Sequence, residues 1–160
     1  RLNDSMADSI QILVDADACP VKGEIYRVAE RHAVAVVIVS NSPFRVPDHP
    51  LLSRVVVSDA FDAADDYIAE RADGKTVVVT SDILLADRCV KAGAEVLAAN
   101  GKRFTADSIG AAVATRAIMA DLRAGMGTEN IGGPPPFAKT DRSRFLSSLD
   151  EILVRLKRAG

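Results

Sequence analysis

The chain has 160 residues, of which 48% are hydrophobic and 26% charged, with a formal net charge of −2. That balance suits one globular domain with a core of its own, and it excludes a disordered chain and a polyanion binder acting through bulk charge. No apolar run approaches the length of a membrane span, so no transmembrane helix is expected.

In chain order, RLNDS (residues 1–5) precedes Met6 without the apolar stretch of a signal peptide. It reads as an expression scar, leaving residues 6–160 as a single domain with a cytoplasmic address. Ile10 to Val14 is a short buried strand. Asp15, Ala16, Asp17, Ala18, Cys19 and Pro20 then turn into a helix, with Pro20 suited to its first position. Val21, Ile25, Val28 and Ala29 continue at helical spacing. The run AVAVVIVS, Ala33 to Ser40, is apolar on both faces and predicts a central strand. Asn41 to Pro50 carries three prolines and is a loop.

Arg54 to Val57 predicts a third strand, and a helix follows from about Ala60 to Ala72. Thr76 to Val79 is a fourth strand, Asp82 opens a helix that Gly93 ends, and Glu95 to Ala98 is a fifth strand. Strands alternating with helices predict a parallel sheet of about five strands flanked by helices, with ligands at the carboxyl ends of the strands. After Thr105 the alternation stops. A long helix from Ala106, a loop containing GGPPPF, and a helix capped by Thr140 form a C-terminal extension. Phe145, Leu149, Ile152 and Leu156 share one face of that last helix.

Two cysteines, Cys19 and Cys89, without CxxC spacing exclude a disulfide framework and a zinc cluster. With only His32 and His49 as imidazoles, any metal would be held by carboxylates, which selects magnesium or manganese. Residues 1–101 carry 10 basic and 16 acidic groups, whereas residues 102–160 carry 10 basic and 6 acidic groups. Such asymmetry could suit nucleic acid, but ordinary surface variation is the reading preferred on charge alone.

The acids hold the chemical interest. Asp15 and Asp17 follow the first strand and Asp82 follows the fourth, so all three belong to one edge of the sheet. On a wheel of about 100° per residue, Phe61, Ala64, Ile68 and Ala72 form an inward stripe that contains Asp65, while Asp66 and Glu70 point away. An inward carboxylate needs a partner, and an ion shared with Asp15 and Asp82 would supply one. Each acid also has a purely structural reading. Asp82 and Asp17 are suited to cap helices, and Asp65 to complete a capping box opened by Asp62. Asp87 pairs with Lys91 one turn on. Cys19 reads as structural, His32 as a satisfied core or edge histidine, and His49 as a solvated loop residue. Lys22, near a helix N-terminus, is either a phosphate contact or a solvated lysine.

DADACPVK (Asp15–Lys22), FDAADDYI (Phe61–Ile68), VVVTSDILLADRCV (Val77–Val90) and GGPPPFAKTDRSRF (Gly132–Phe145) resemble the YaiI/YqxD family of uncharacterised bacterial proteins, grouped with PIN-like domains. The resemblance covers nearly the whole chain after Met6. Similarity to PIN-like nucleases implies that Asp15 ends the first strand as a metal ligand. AADD at Ala63–Asp66 is similar to the EADD of flap-type 5′ nucleases, which places Asp65 on a metal-ligand position. TSDIL at Thr80–Leu84 matches T-x-D-x-D through Asp82. Two of the family acids are apolar here, Ala63 and Leu84; Asp17 or Asp62 stands nearby.

The resemblance therefore implies a magnesium- or manganese-dependent nuclease, a hydrolase of RNA or DNA. Its catalytic acids would be Asp15, Asp65 and Asp82, its metal ligands those three and Asp17, and its phosphate contact Lys22. The alternative is a non-catalytic PIN-like module that binds RNA, a metal or a protein partner; a phosphatase for small substrates would use the same acids. The aromatic content of 4% leaves few platforms for stacking bases.

Overall fold

The computed structural model describes residues 9–16, 20–60, 62–126 and 138–159, the segment 123–126 by its backbone alone. Residues 1–5, together with Asp17, Cys19, Phe61 and the GGPPPF loop, lie outside the described residues. The elements run β1 (Gln11–Asp15), α1 (Lys22–His32), β2 (Ala35–Ser40), β3 (Leu52–Val56), α2 (Ala63–Arg71), β4 (Thr76–Val79) and α3 (Ile83–Lys91). β5 (Glu95–Leu97), β6 (Arg103–Phe104), α4 (Ala106–Met126) and α5 (Lys139–Ala159) follow.

The expected α/β sheet is present, with a sixth strand added. Its order is β3-β2-β1-β4-β5-β6. β1 pairs in parallel with both β2 and β4, and only β6 is antiparallel, against β5. The chain thus winds outward from β1 in one direction, then crosses to its other side at β4. The boundary between β1 and β4 is the switch point at which open parallel sheets form their ligand crevices.

Alternation along the strands divides the core into two layers. Ile12, Val14, Val36, Ile38, Val77 and Val79 face α1 and α5. Leu13, Val39, Val78 and Val96 face the other helices, where Ile68, Leu85, Cys89 and Ile109 meet them. The last helix belongs to the core. Phe145, Leu149, Ile152 and Leu153 are all fully buried, and Leu156 packs beside them partly buried. At about 1.5–3 kcal/mol for each large apolar side chain, this face holds α5 in place.

Gly101 lets α5 approach the sheet. Its φ of +89° is left-handed, and a Cβ there would stand 2.7 Å from Arg144 Cγ and 2.9 Å from the Phe145 nitrogen. Ser148 donates from its hydroxyl to the Gly101 carbonyl at 2.9 Å. On the opposite flank of α5, Asp150 lies 2.6 Å from His32 Nε2 and 3.4 Å from Arg31.

Three local expectations are corrected. α1 begins at Lys22, two residues beyond Pro20, with Val21 as its N-cap. Asp141, not Thr140, satisfies the start of α5, where its carboxylate accepts the Ala138 N–H at 2.9 Å. β3 begins at Leu52, earlier than its apolar residues suggest, because an edge strand needs no apolar outer face.

Candidate functional site: a carboxylate crevice at the sheet switch

Asp15 is the last residue of β1 and is 7% exposed, since β2 and β4 flank it on both sides. Thr80, directly after β4 and 2% exposed, donates from Oγ1 to Asp15 Oδ2 at 2.9 Å. The same hydroxyl oxygen accepts the Asp82 N–H at 3.0 Å. One threonine therefore ties Asp15 and the backbone of Asp82 to the end of β4. A buried carboxylate is stable only with such donors around it.

Asp82 caps α3. Its Oδ1 accepts from the Leu84 and Leu85 amides at 2.9 and 3.2 Å. The structural reading of this residue is thus correct as far as it goes, yet the cap uses one carboxylate oxygen only. For Asp65 the capping-box reading fails. Asp62 precedes α2 with a left-handed φ of 66° and makes no side-chain cap.

The helical phase of α2 is as the wheel predicts. Ile68 is fully buried, Asp65 is partly buried, and Asp66 and Glu70 face solvent. Asp66 is engaged outward instead, 2.8 Å from Arg88 of α3. Loss of water around Asp65 raises its pKa from 3.8 to about 6, with further upward contributions from the charges of Asp82, Asp15 and Asp62. Arg88 opposes these weakly. Asp65 from α2, Asp82 from α3 and Asp15 from β1 thus share one electrostatic environment, rich in negative charge.

These residues do not form a ready-made cage. Among the described residues no three His, Cys, Asp or Glu side chains are grouped to hold a metal ion. As a donor set they are hard carboxylates, the chemistry that magnesium and manganese prefer. Magnesium in particular keeps several waters and uses one or two carboxylates plus substrate phosphate, so an open crevice suits it better than a cage would. Ala63 and Leu84 add no acid to the crevice, and Leu84 is 46% exposed beside Asp82.

Lys22 is half-buried at the start of α1, with its ammonium 5.6 Å from the centre of the Phe44 ring. Its solvated reading is therefore incomplete. His49 is also less free than expected: Nδ1 accepts the Leu51 N–H at 3.1 Å and Nε2 faces Glu30 at 3.0 Å. His32 is satisfied by Asp150, and Asp87 pairs with Lys91 at 3.0 Å, both as expected. Cys89 is fully buried, and loss of hydration pushes its thiol up to about 11, so it is an inert core residue. Thr80, quoted in the sequence only as the first residue of TSDIL, is the residue that links Asp15 to Asp82. Its signal was its place directly after β4 and two residues before Asp82.

A doubly wound α/β domain with carboxylates at its switch point defines the class. Residues 13–155 match the model described as "Uncharacterized BCR, YaiI/YqxD family", and the chain belongs to that family. A "UPF0178 protein" of Sphingopyxis alaskensis is 73% identical over 147 residues, covering 92% of this chain and 95% of its own. Another, from Nitrobacter winogradskyi, is 57% identical, covering 94% and 95%. No solved structure matches the chain. Among the described residues no helix is long and apolar enough to cross a membrane.

Proposed function

We propose that this protein is a metal-dependent nuclease of PIN-like type, hydrolysing phosphodiesters of RNA or DNA at the β1–β4 switch. The observation that carries the reading is Asp65, an inward carboxylate whose pKa rises to about 6 through dehydration and the charges of Asp82 and Asp15. Nearby acids that repel one another at a ligand crevice are costly to the fold and suited to a cation. Asp15, Asp65 and Asp82 would hold magnesium or manganese, with Asp17 as a fourth candidate. A bound ion would activate water and offset charge on the phosphate as it reacts.

The chain's own residues have separate tasks. Thr80 fixes the Asp15 carboxylate and the backbone of Asp82 together. The α3 cap fixes Asp82 through Oδ1 and leaves Oδ2 outside the cap. Lys22, held over Phe44, is the candidate phosphate contact on the α1 side. With Ala63 and Leu84 apolar, the acid set suits one ion better than two.

The competing reading is a non-catalytic PIN-like module for RNA, a metal or a protein. It is favoured by the same two apolar residues and by the use of Asp82 as a cap. Incubation of the full chain with RNA and DNA, with and without magnesium or manganese, separates the two. Metal-dependent cleavage supports the nuclease; retention of an oligonucleotide without cleavage supports the module.

A further inference from the structure

The loop between β2 and β3 leaves the carboxyl edge of the sheet at Ser40 and returns beside the amino end of β2, where the Val36 N–H meets the Leu51 carbonyl at 2.8 Å. It therefore runs back along the outer strand. Between loop and strand lies an open trough of about 540 Å3, with Arg45, Val46, Asp48, His49, Ser53 and Arg54 in its walls. A volume of this size admits a small organic group such as a nucleotide.

The charge of the trough rests on its two arginines. The His49 Nδ1 accepts a backbone N–H, so its proton sits on Nε2, directed at Glu30. The ring is thereby turned to another partner. Arg45 is exposed and has no ion-pair partner among the described residues. Arg54, also exposed, is held by a hydrogen bond from Nη1 to the Phe44 carbonyl. Asp48 is the single acid in the walls. Two guanidinium groups over a wall of mixed polar and apolar side chains make a surface for phosphates joined to organic groups, because guanidinium forks match phosphate oxygens.

Phe44 links this surface to the crevice. Its carbonyl holds Arg54, and its ring carries Lys22 at the start of α1, the helix that follows Asp15. Cationic groups thus continue from the carboxyl edge along the outer strand. We propose that the trough is a phosphate subsite for a single-stranded nucleic acid whose reacting link lies at the carboxylate crevice. This rests on the nuclease reading and extends it to the path of the strand.

The test is binding without cleavage, by fluorescence anisotropy of a labelled single-stranded oligonucleotide with the full chain in EDTA. Arg45→Gln and Arg54→Gln should each weaken binding roughly five-fold. Each should also reduce the slope of log affinity against log salt by about 0.7. Arg45→Gln should keep the wild-type melting temperature, and Arg54→Lys, which retains the charge, should recover most of the slope. Wild-type binding that neither substitution alters would overturn the subsite and leave the nuclease reading standing. No wild-type binding to RNA or DNA would overturn the subsite, and the nuclease reading would then stand or fall on the cleavage assay with magnesium or manganese. Inorganic phosphate or a mononucleotide, titrated by calorimetry, supplies the remaining arm. If either binds with loss in both variants while oligonucleotide binding is unchanged, the trough serves a free phosphate compound and the strand assignment is wrong.

Discussion

The Thr80 hydroxyl donates to Asp15 Oδ2 at 2.9 Å across the boundary where the sheet reverses its winding. Both residues are buried, and the same oxygen accepts the Asp82 N–H. Thr80→Val keeps the shape and removes both bonds, leaving a buried carboxylate short of a donor. Stability should fall by about 2 kcal/mol, and Thr80→Ser should lose much less. Thermal unfolding of the two variants checks this; a larger loss in Thr80→Ser than in Thr80→Val would assign the effect to packing of the methyl group.

The pH dependence of Asp65 has a defined sign. Its folded pKa, about 6, lies above the ordinary 3.8, so the folded state binds this proton more tightly than the unfolded chain. The contribution to stability is complete below about 3.8 and is lost as pH rises through about 6. Asp65→Asn should therefore stabilise the metal-free protein at pH above 7, by about 1 kcal/mol once solvent screening is counted. Carboxyl NMR titration should place the midpoint near 6 and move it downward with magnesium. A midpoint indifferent to magnesium would remove Asp65 from the metal site.

The parts legible in sequence were those governed by periodicity. β2 and β4 announce themselves as unbroken apolar runs, and α3 by Asp82 and Gly93 at its ends. Asp65 was separable from Asp66 because a helix turns by a fixed angle per residue. β6 was missed because two residues, Arg103 and Phe104, are too few to show a period. The bonds of Thr80 and His49 depend on neighbours brought together by the fold. For His49 the partner is Glu30, on α1. Arg45 and Arg54 were invisible as a pair for the same reason, since a loop and an edge strand share no repeating pattern.

Gly101 should tolerate no side chain. Gly101→Ala combines a left-handed φ of +89° with a Cβ within 3 Å of the Arg144 and Phe145 backbone. Destabilisation by about 2 kcal/mol or more is expected in chemical denaturation. Loss below about 0.5 kcal/mol would mean that α5 moves away at little cost.

Truncation before Gly132 removes α5 and uncovers Val14, Val36, Val79 and their neighbours. Phe145, Leu149, Ile152 and Leu153 are fully buried, and at about 2 kcal/mol each their loss approaches the whole stability of a domain. The truncated chain should be insoluble or melt far lower. A shortened protein with unchanged melting would identify α5 as a docking element for a partner.

Asp82→Asn is the decisive substitution for activity. Asparagine has the same shape and remains a good N-cap, so the amides of Leu84 and Leu85 keep their acceptor. Stability should change by less than about 1 kcal/mol. The crevice, by contrast, loses a full negative charge and a hard oxygen ligand, so metal-dependent cleavage should be abolished. Asp87→Asn provides the control on the same helix, because Asp87 pairs with the exposed Lys91 and should leave cleavage intact. The comparison needs wild-type activity first, measured on single- and double-stranded RNA and DNA with magnesium and with manganese. Cleavage that survives Asp82→Asn would place the chemistry elsewhere in the chain. No cleavage by the wild type on any of these substrates would make Ala63 and Leu84 the marks of a lost active site. The domain would then be a binding module that keeps Asp15 and Asp82 for their bonds to Thr80 and α3.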